Sequence, residues 1–138
     1  MRIQNHLVLY WKPQMRALVV FHAEDKDHPL SWMLKDGFRH CLVAVDNGEH
    51  WIEVDGGAGI PTVRGMAPSD YDLAEYYRNF GWTVVETEQK KRQTMLHYLF
   101  RRPCVFANCV GMVQLILGIS GLAMTPYSLY KQLLRKEK

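Results

Sequence analysis

Short apolar stretches alternate with polar turns through much of the chain, a pattern typical of β-strands joined by loops. Residues 6–11 (HLVLYW) and 16–22 (RALVVFH) are rich in β-forming side chains, and residues 12–15 between them predict a hairpin. Residues 82–88 (WTVVETE) and 93–100 (QTMLHYLF) predict two further strands joined by a charged turn. Neighbouring strands joined by turns pair antiparallel, so the pattern predicts an antiparallel sheet.

An Asn-Gly pair defines another hairpin, because this dipeptide favours a tight two-residue turn. Asn47-Gly48 lies between residues 39–45 (RHCLVAV) and 50–55 (HWIEVD). With a two-residue turn, His40 would face Asp55 on the neighbouring strand. The apolar face of this hairpin, expected to be the more buried one, carries Cys41, Val43, Val45, His50, Ile52 and Val54. The more polar face carries His40, Leu42, Ala44, Trp51, Glu53 and Asp55.

Two helices are predicted near the C-terminus. Asn108 is a favourable N-cap residue, and the apolar segment that follows it ends at Gly118, a residue typical of helix C-termini. Because this segment is apolar nearly all round, we expect a buried central helix. A final amphipathic helix is predicted to open at Thr125-Pro126, since proline is favoured in the first helical turn.

The middle of the chain carries one more helix signal. Acidic residues around Ser69 suit a helix start, and the predicted helix over residues 70–80 stops at Gly81. Residues 56–68 are rich in glycine and proline and predict a connecting loop. With no internal repeat and no linker, residues 1–138 predict a single α+β domain with an antiparallel sheet.

Composition and charge narrow the function classes. The chain is 48% hydrophobic and 22% charged, a normal globular balance, and its net charge of +3 is mild. Its basic residues lie in small groups without a nucleic-acid-binding motif, so we expect no nucleic-acid partner. The longest apolar stretch, residues 110–119, is too short to span a bilayer, and the N-terminus lacks a signal-peptide pattern. We therefore expect a cytoplasmic protein without a membrane span.

The three cysteines cannot all pair within the chain, so we expect reduced thiols. Cys109 follows the predicted cap Asn108 and would lie in the first turn of its helix, where free N–H groups and the helix dipole stabilise a thiolate. Cys109 is therefore a candidate nucleophile. We expect Cys41 in the core and Cys104 at a strand end, and the cysteine spacing predicts no metal site.

A nucleophilic cysteine needs a base and a group that orients the base. His40 is the candidate base, because the hairpin places carboxylates on the neighbouring strand and on the same face of the sheet. The hairpin register favours Asp55 as the orienting carboxylate, and Glu53 is the alternative.

Residues 108–113 (NCVGMV) resemble the Asp-Cys-Ser-Gly-Leu-Val motif that opens the nucleophile helix of NlpC-type cysteine peptidases, a branch of the papain-like fold. Asn108 and Val110 stand where the usual motif has Asp and Ser. Residues 117–133 resemble the end of that helix, its loop and the next helix. Residues 37–41 (GFRHC) are a second segment on which the resemblance depends. Because His40 precedes Cys109, the order matches the circularly permuted branch of this superfamily.

The resemblance implies a papain-like sheet packed against a buried C-terminal nucleophile helix. It also implies that Cys109, His40 and either Asp55 or Glu53 form the catalytic site of a thiol hydrolase. The expected substrates are peptides, amides or acyl esters, and no cofactor is implied. An alternative is a catalytically inactive papain-like module for binding or structure, such as a component of a phage particle. Its partners would then be phage structural proteins and its location the virion.

Overall fold

The computed structural model describes residues 15–24, 31–57, 60–90, 108–119, 121 and 123–136. In chain order its elements are β1 (Arg16–His22), a short 3-10 helix (Ser31–Met33), β2 (His40–Asp46), β3 (His50–Asp55), β4 (Thr62–Pro68), α1 (Leu73–Asn79), β5 (Thr83–Glu88), α2 (Cys109–Leu117) and α3 (Pro126–Lys136). The predicted α+β class with an antiparallel sheet is confirmed.

The five strands form one sheet in the order β4-β3-β2-β1-β5, with every neighbouring pair antiparallel. β2 is the central strand, and β1 beside it pairs with β2 on one side and with β5 on the other. β1 and β5 lie where the sequence predicts strands, whereas the strands predicted over residues 6–11 and 93–100 lie outside the described residues. Every residue of β2 is buried, so the functional candidates on this strand lie deep in the fold.

Helices cover both faces of the sheet. On one face α2 and α3 pack against the alternate apolar residues of β1, β2 and β5, including Cys41 and Val43. On the other face α1 packs against Leu42, Ala44 and Trp51. The prediction that the face of Cys41 is the more buried one is therefore wrong, because His50, Ile52 and Val54 on that face are less buried than Trp51 and Glu53 on the other. A second apolar core forms on this other face, because Leu73 and Tyr77 of α1 bury its apolar side chains.

The β2–β3 hairpin has a longer loop than its Asn-Gly pair predicts. Val43 pairs with Val54 and Asp46 pairs with Trp51, so the register differs from the predicted one, in which His40 faces Asp55. The loop is stable because side chains satisfy its backbone. The Asn47 Oδ1 atom accepts from the N–H groups of residues 49 and 50, and the Asp46 carboxylate accepts from the N–H of residue 48. The register differs by two positions, so each residue keeps its predicted face.

The prediction of a loop throughout residues 56–68 is also wrong, because residues 62–68 form β4. This strand lies at the edge of the sheet and pairs with β3, with a register shift between Trp51 and Ile52. The sequence pattern predicts no strand here because Gly65 lies inside it and Pro68 lies at its end. Both residue types are tolerated in an edge strand, where one side of the backbone needs no partner.

The helix-terminal signals correspond to observed caps. The Asp72 carboxylate accepts from the backbone N–H of Glu75, so α1 begins after Asp72, slightly later than predicted. Pro126 opens α3, as its position predicts. One side of α2 faces outward, where Leu115 is 45% exposed, so this helix is less enclosed than its composition predicts. No helix in the described part of the chain is long and apolar enough to cross a membrane.

Candidate active site

The candidate site lies at one end of the sheet, where β1 ends, β2 begins and β3 ends. His40 is the first residue of β2, and Asp55 is the last residue of β3. The N-terminus of α2 approaches the same place, because α2 packs along β2. Residues that are far apart in the sequence, His40, Asp55 and Cys109, therefore meet at this end of the sheet.

Asn108 caps α2, as its position predicts. Its backbone is extended, and its side-chain Oδ1 accepts a hydrogen bond of 2.8 Å from the backbone N–H of Gly111. At the other end, Gly118 adopts the left-handed conformation with φ of 63°. Cys109 is thus the first residue of α2, where backbone N–H groups point out of the helix end and favour a negatively charged sulfur.

His40 and Asp55 form a close pair. The His40 Nε2 atom lies 2.7 Å from the Asp55 Oδ1 atom, and the side chains are 9% and 23% exposed. The backbone N–H of Gly57 also donates to this Asp55 oxygen, at 2.9 Å. The hydrogen bond from His40 lowers the pKa of Asp55 below its usual value against the opposing effect of burial. A charged carboxylate therefore holds the His40 ring in one orientation.

The Cys109 thiol and the His40 ring shift each other's pKa. A hydrogen bond from Cys41 outweighs the effect of burial and, with the hydrogen bond and charge of His40, lowers the pKa of Cys109 to about 4. Burial alone would lower the pKa of His40, but hydrogen bonds to Asp55 and Cys109 outweigh it and raise that pKa to about 10. At neutral pH the pair is therefore a thiolate beside an imidazolium.

Cys41 contributes to the site in a way that the sequence pattern does not indicate. It is buried in the core, as predicted, with no exposed surface. Its thiol and its backbone nevertheless both lower the pKa of Cys109. Since Cys41 lies on the face of β2 that packs against α2, its side chain reaches the start of that helix. It is the largest contributor to the lowered pKa of Cys109.

Glu53, the alternative orienting residue, lies in a separate cluster. Its side chain is 2% exposed and bonds to the Arg64 guanidinium, and the Tyr77 hydroxyl donates to it at 2.5 Å. These partners belong to β4 and α1, so Glu53 ties β3 to its neighbours on the face away from α2. The structure brings Asp55 to His40, whereas Glu53 is engaged elsewhere.

We expect Glu53→Ala to lower the free energy of unfolding by about 3 kcal/mol, because the Tyr77 hydroxyl would lose its buried acceptor and a cavity would remain. Urea titration measures this change. Glu86→Ala is the matched control, since Glu86 pairs with Arg78 on the exposed surface and its loss should cost at most about 0.5 kcal/mol. Equal stability of the two variants would contradict the structural assignment of Glu53.

His22 is a site neighbour that the sequence analysis missed. It pairs with His40 across β1 and β2, and the centroids of the two rings are 5.0 Å apart. On its other side the His22 ring stacks on Trp82 at 4.5 Å. The His22 Nδ1 atom accepts from the backbone N–H of Glu24. The His22 ring therefore packs beside the His40 ring. This contact depends on the pairing of β1 with β2, so the local sequence pattern does not indicate it.

Gly56 allows the end of β3 to approach α2 closely. A Cβ atom at this position would lie 3.0 Å from the Met112 Cβ and 3.2 Å from the Cys109 Cα. Contacts of this length are tighter than ordinary van der Waals contact between side chains. The backbone after Asp55 therefore fits against the cysteine only because Gly56 has no side chain.

We expect Gly56→Ala to displace the start of α2 and to lower the rate at which iodoacetamide alkylates Cys109 by about tenfold. Gly65→Ala is the matched control, since a Cβ at Gly65 would meet nothing within 4 Å. Neither glycine adopts a positive φ, so the backbone accepts alanine at both positions. An unchanged alkylation rate in Gly56→Ala would show that this close approach does not position the cysteine.

The sequence pattern assigns no catalytic role to the remaining cysteine and histidines. His50 is exposed, and Cys104, His6, His28 and His97 lie outside the described residues. Within the described ranges, no group of three or more His, Cys, Asp or Glu side chains is placed to hold a metal ion.

Comparisons of the chain with protein-family models, with curated proteins and with solved structures found no match. The functional argument therefore depends on the geometry of these residues.

Proposed function

We propose that this protein is a thiol hydrolase of the peptidase or amidase type, with Cys109 as the nucleophile, His40 as the acid and base, and Asp55 as the residue that orients His40. One observation carries the proposal. A cysteine is the first residue of a helix that packs along the strand begun by a histidine, and the Nε2 atom of this histidine lies 2.7 Å from a carboxylate oxygen. This is the arrangement that activates a cysteine for attack on a carbonyl carbon.

The proposed reaction has two stages. The Cys109 thiolate attacks the carbonyl carbon of an amide or ester, and the His40 imidazolium gives its proton to the leaving amine or alcohol. The neutral ring then removes a proton from a water molecule, which attacks the thioester and releases the acid. Because Nε2 engages Asp55, we assign this proton transfer to Nδ1 of His40. The reaction needs no cofactor.

The negative charge that develops on the carbonyl oxygen needs hydrogen-bond donors. We assign the backbone N–H of Cys109 to this role, since it belongs to the first turn of α2, where N–H groups have no partner within the helix. Asn108 uses its side chain and its carbonyl oxygen to satisfy the N–H groups of Gly111 and Met112. The backbone N–H of Cys109 is therefore the one that we assign to the substrate oxygen.

We further propose that the fold is papain-like with a circularly permuted order. Three features support this proposal. The cysteine opens a helix that packs against an antiparallel sheet, the histidine begins the strand under that helix, and the carboxylate ends the next strand. Along the chain the order is His40, Asp55 and Cys109, as the resemblance to the permuted NlpC-type branch implies.

Acyl-enzyme trapping tests the proposed function. The reduced protein is mixed with p-nitrophenyl acetate and with peptidyl p-nitroanilides, and intact mass and peptide mapping locate the acyl group. We expect acylation at Cys109, its loss in Cys109→Ala and its persistence in Cys104→Ala. Peptide, amide and ester substrates are compared by their rates. Without acylation of Cys109 by any of them, the hydrolase proposal fails, and a non-catalytic module, such as a phage structural component, becomes the better interpretation.

A further inference from the structure

Two thiols lie where α2 packs on β2, although the proposed hydrolysis uses one. Cys41 lies on the face of β2 that packs against α2, and Cys109, the first residue of α2, packs against the core cluster that contains Cys41. The Cys41 side chain is completely buried, whereas Cys109 is partly exposed. A reagent from solvent therefore meets Cys109 first, because Cys41 is enclosed in the core.

We propose that Cys41 is a resolving thiol, which forms a reversible disulfide with Cys109 when a hydroperoxide oxidises Cys109. The inference rests on the reactive Cys109 of the proposed function but not on the hydrolysis itself. Both cysteines belong to elements that pack directly on each other, and Cys109 packs against the core cluster that contains Cys41, so the two thiols share one interface, where a disulfide could form. The disulfide would block the nucleophile until a thiol reductant restores it.

The first step oxidises Cys109. Its thiolate attacks one oxygen of the hydroperoxide, so an S–O bond forms and the O–O bond breaks. The leaving alkoxide, or hydroxide when the oxidant is hydrogen peroxide, takes a proton from the His40 imidazolium. Cys109 becomes a sulfenic acid, and the peroxide is reduced to an alcohol or water.

The second step joins the two cysteines. The Cys41 sulfur attacks the Cys109 sulfur, the S–O bond breaks, and the released hydroxide leaves as water with the Cys41 proton. The hydrogen bond to Cys109, burial and the negative charges of Cys109 and Asp55 raise the pKa of Cys41 while Cys109 is a thiolate. Oxidation to the neutral sulfenic acid removes the charge on Cys109, so Cys41 becomes easier to deprotonate when its attack is needed.

The test uses the full chain, reduced, freed of reductant and treated with equimolar hydrogen peroxide at neutral pH. Peptides are mapped by mass spectrometry without reduction. We expect a Cys41–Cys109 cross-linked peptide with a mass loss of two hydrogen atoms. We also expect loss of Cys109 alkylation by iodoacetamide and its return after dithiothreitol. Cys104→Ser should form the same cross-link. Cys41→Ser should instead accumulate a Cys109 sulfenic acid that dimedone traps and that excess peroxide converts to a sulfinic acid.

Two outcomes would overturn the proposal. One is a sulfinic acid at Cys109 of the unmodified sequence while Cys41 stays reduced, and the other is a cross-link between Cys104 and Cys109. Mapping of the unmodified sequence decides the matter even where Cys41→Ser folds poorly. Acyl-enzyme trapping keeps this proposal separate from the hydrolase proposal. A disulfide without acylation would leave only the redox inference standing, and acylation without a disulfide would leave only the hydrolase.

Discussion

Replacing His40 by alanine is expected to raise the pKa of the Cys109 thiol from about 4 toward the ordinary value of a free cysteine. The imidazolium stabilises the thiolate by a hydrogen bond and by its charge, and both are lost in the variant. We expect the pKa of Cys109 to rise by about 2, and no further, because Cys41 and the helix N-terminus still favour the charged sulfur. At a pH below both pKa values, the variant would then hold about one hundredth of the thiolate of the unmodified protein.

The pH dependence of alkylation by iodoacetamide measures this shift. A lowered thiol pKa makes the thiolate available at lower pH, so the unmodified protein should react at a constant rate from about pH 5 upward. In His40→Ala the rate should still rise with pH above that point. Above about pH 10 the His40 ring of the unmodified protein loses its proton, so the ion pair between His40 and Cys109 is lost.

Two further variants complete the His40 experiment. His40→Gln keeps most of the side-chain volume, so it separates loss of the base from loss of packing. His50→Ala removes an exposed histidine at the other end of the hairpin and should leave the titration unchanged. A Cys109 titration that stays the same in both His40 variants, accompanied by a lower melting temperature, would make His40 a structural histidine and refute the catalytic pair.

The second large effect is expected in Asp55→Ala, where the rate of Cys109 acylation by p-nitrophenyl acetate should fall by about 100-fold. The carboxylate holds His40 by the Nε2 contact and stabilises its positive charge. Without it the ring loses its fixed orientation and its pKa falls, so the ion pair with Cys109 is weaker.

Asp55→Asn separates these two contributions, because the amide oxygen still accepts from Nε2 but carries no charge. We expect the rate of Asp55→Asn to lie between those of Asp55→Ala and the unmodified protein. Asp70→Ala is the matched control, since Asp70 is exposed beyond the end of β4, and its removal should leave acylation unchanged. A full rate in Asp55→Ala would exclude Asp55 as the orienting residue.

Local signals explain which parts of the site the sequence could predict. The cap at Asn108 and the helix start at Cys109 depend on neighbouring residues, so the sequence pattern predicts both. The shared face of His40 and Asp55 also follows from the pattern, although the predicted register of the hairpin is wrong. Strand residues alternate between faces, so the two-position difference in register leaves both side chains on one face.

Other parts of the site depend on contacts between distant segments. The effect of Cys41 on the pKa of Cys109 depends on the packing of α2 on β2, and His22 reaches His40 through the pairing of β1 with β2. Gly56 matters because of a close approach to α2 that no local pattern encodes. β4 was missed since its glycine and proline residues favour a loop, and its pairing with β3 outweighs that preference.

The most direct test of the central claim compares the reactivity of the three cysteines in the folded, reduced protein. Limiting iodoacetamide is added at neutral pH, and mass spectrometry follows the alkylation of Cys41, Cys104 and Cys109 over time. The account predicts that Cys109 is alkylated first, because it is partly exposed and its pKa is lowered to about 4, whereas Cys41 is buried and its pKa is raised. Alkylation of Cys41 or Cys104 well ahead of Cys109 would contradict the assignment of Cys109 as the nucleophile.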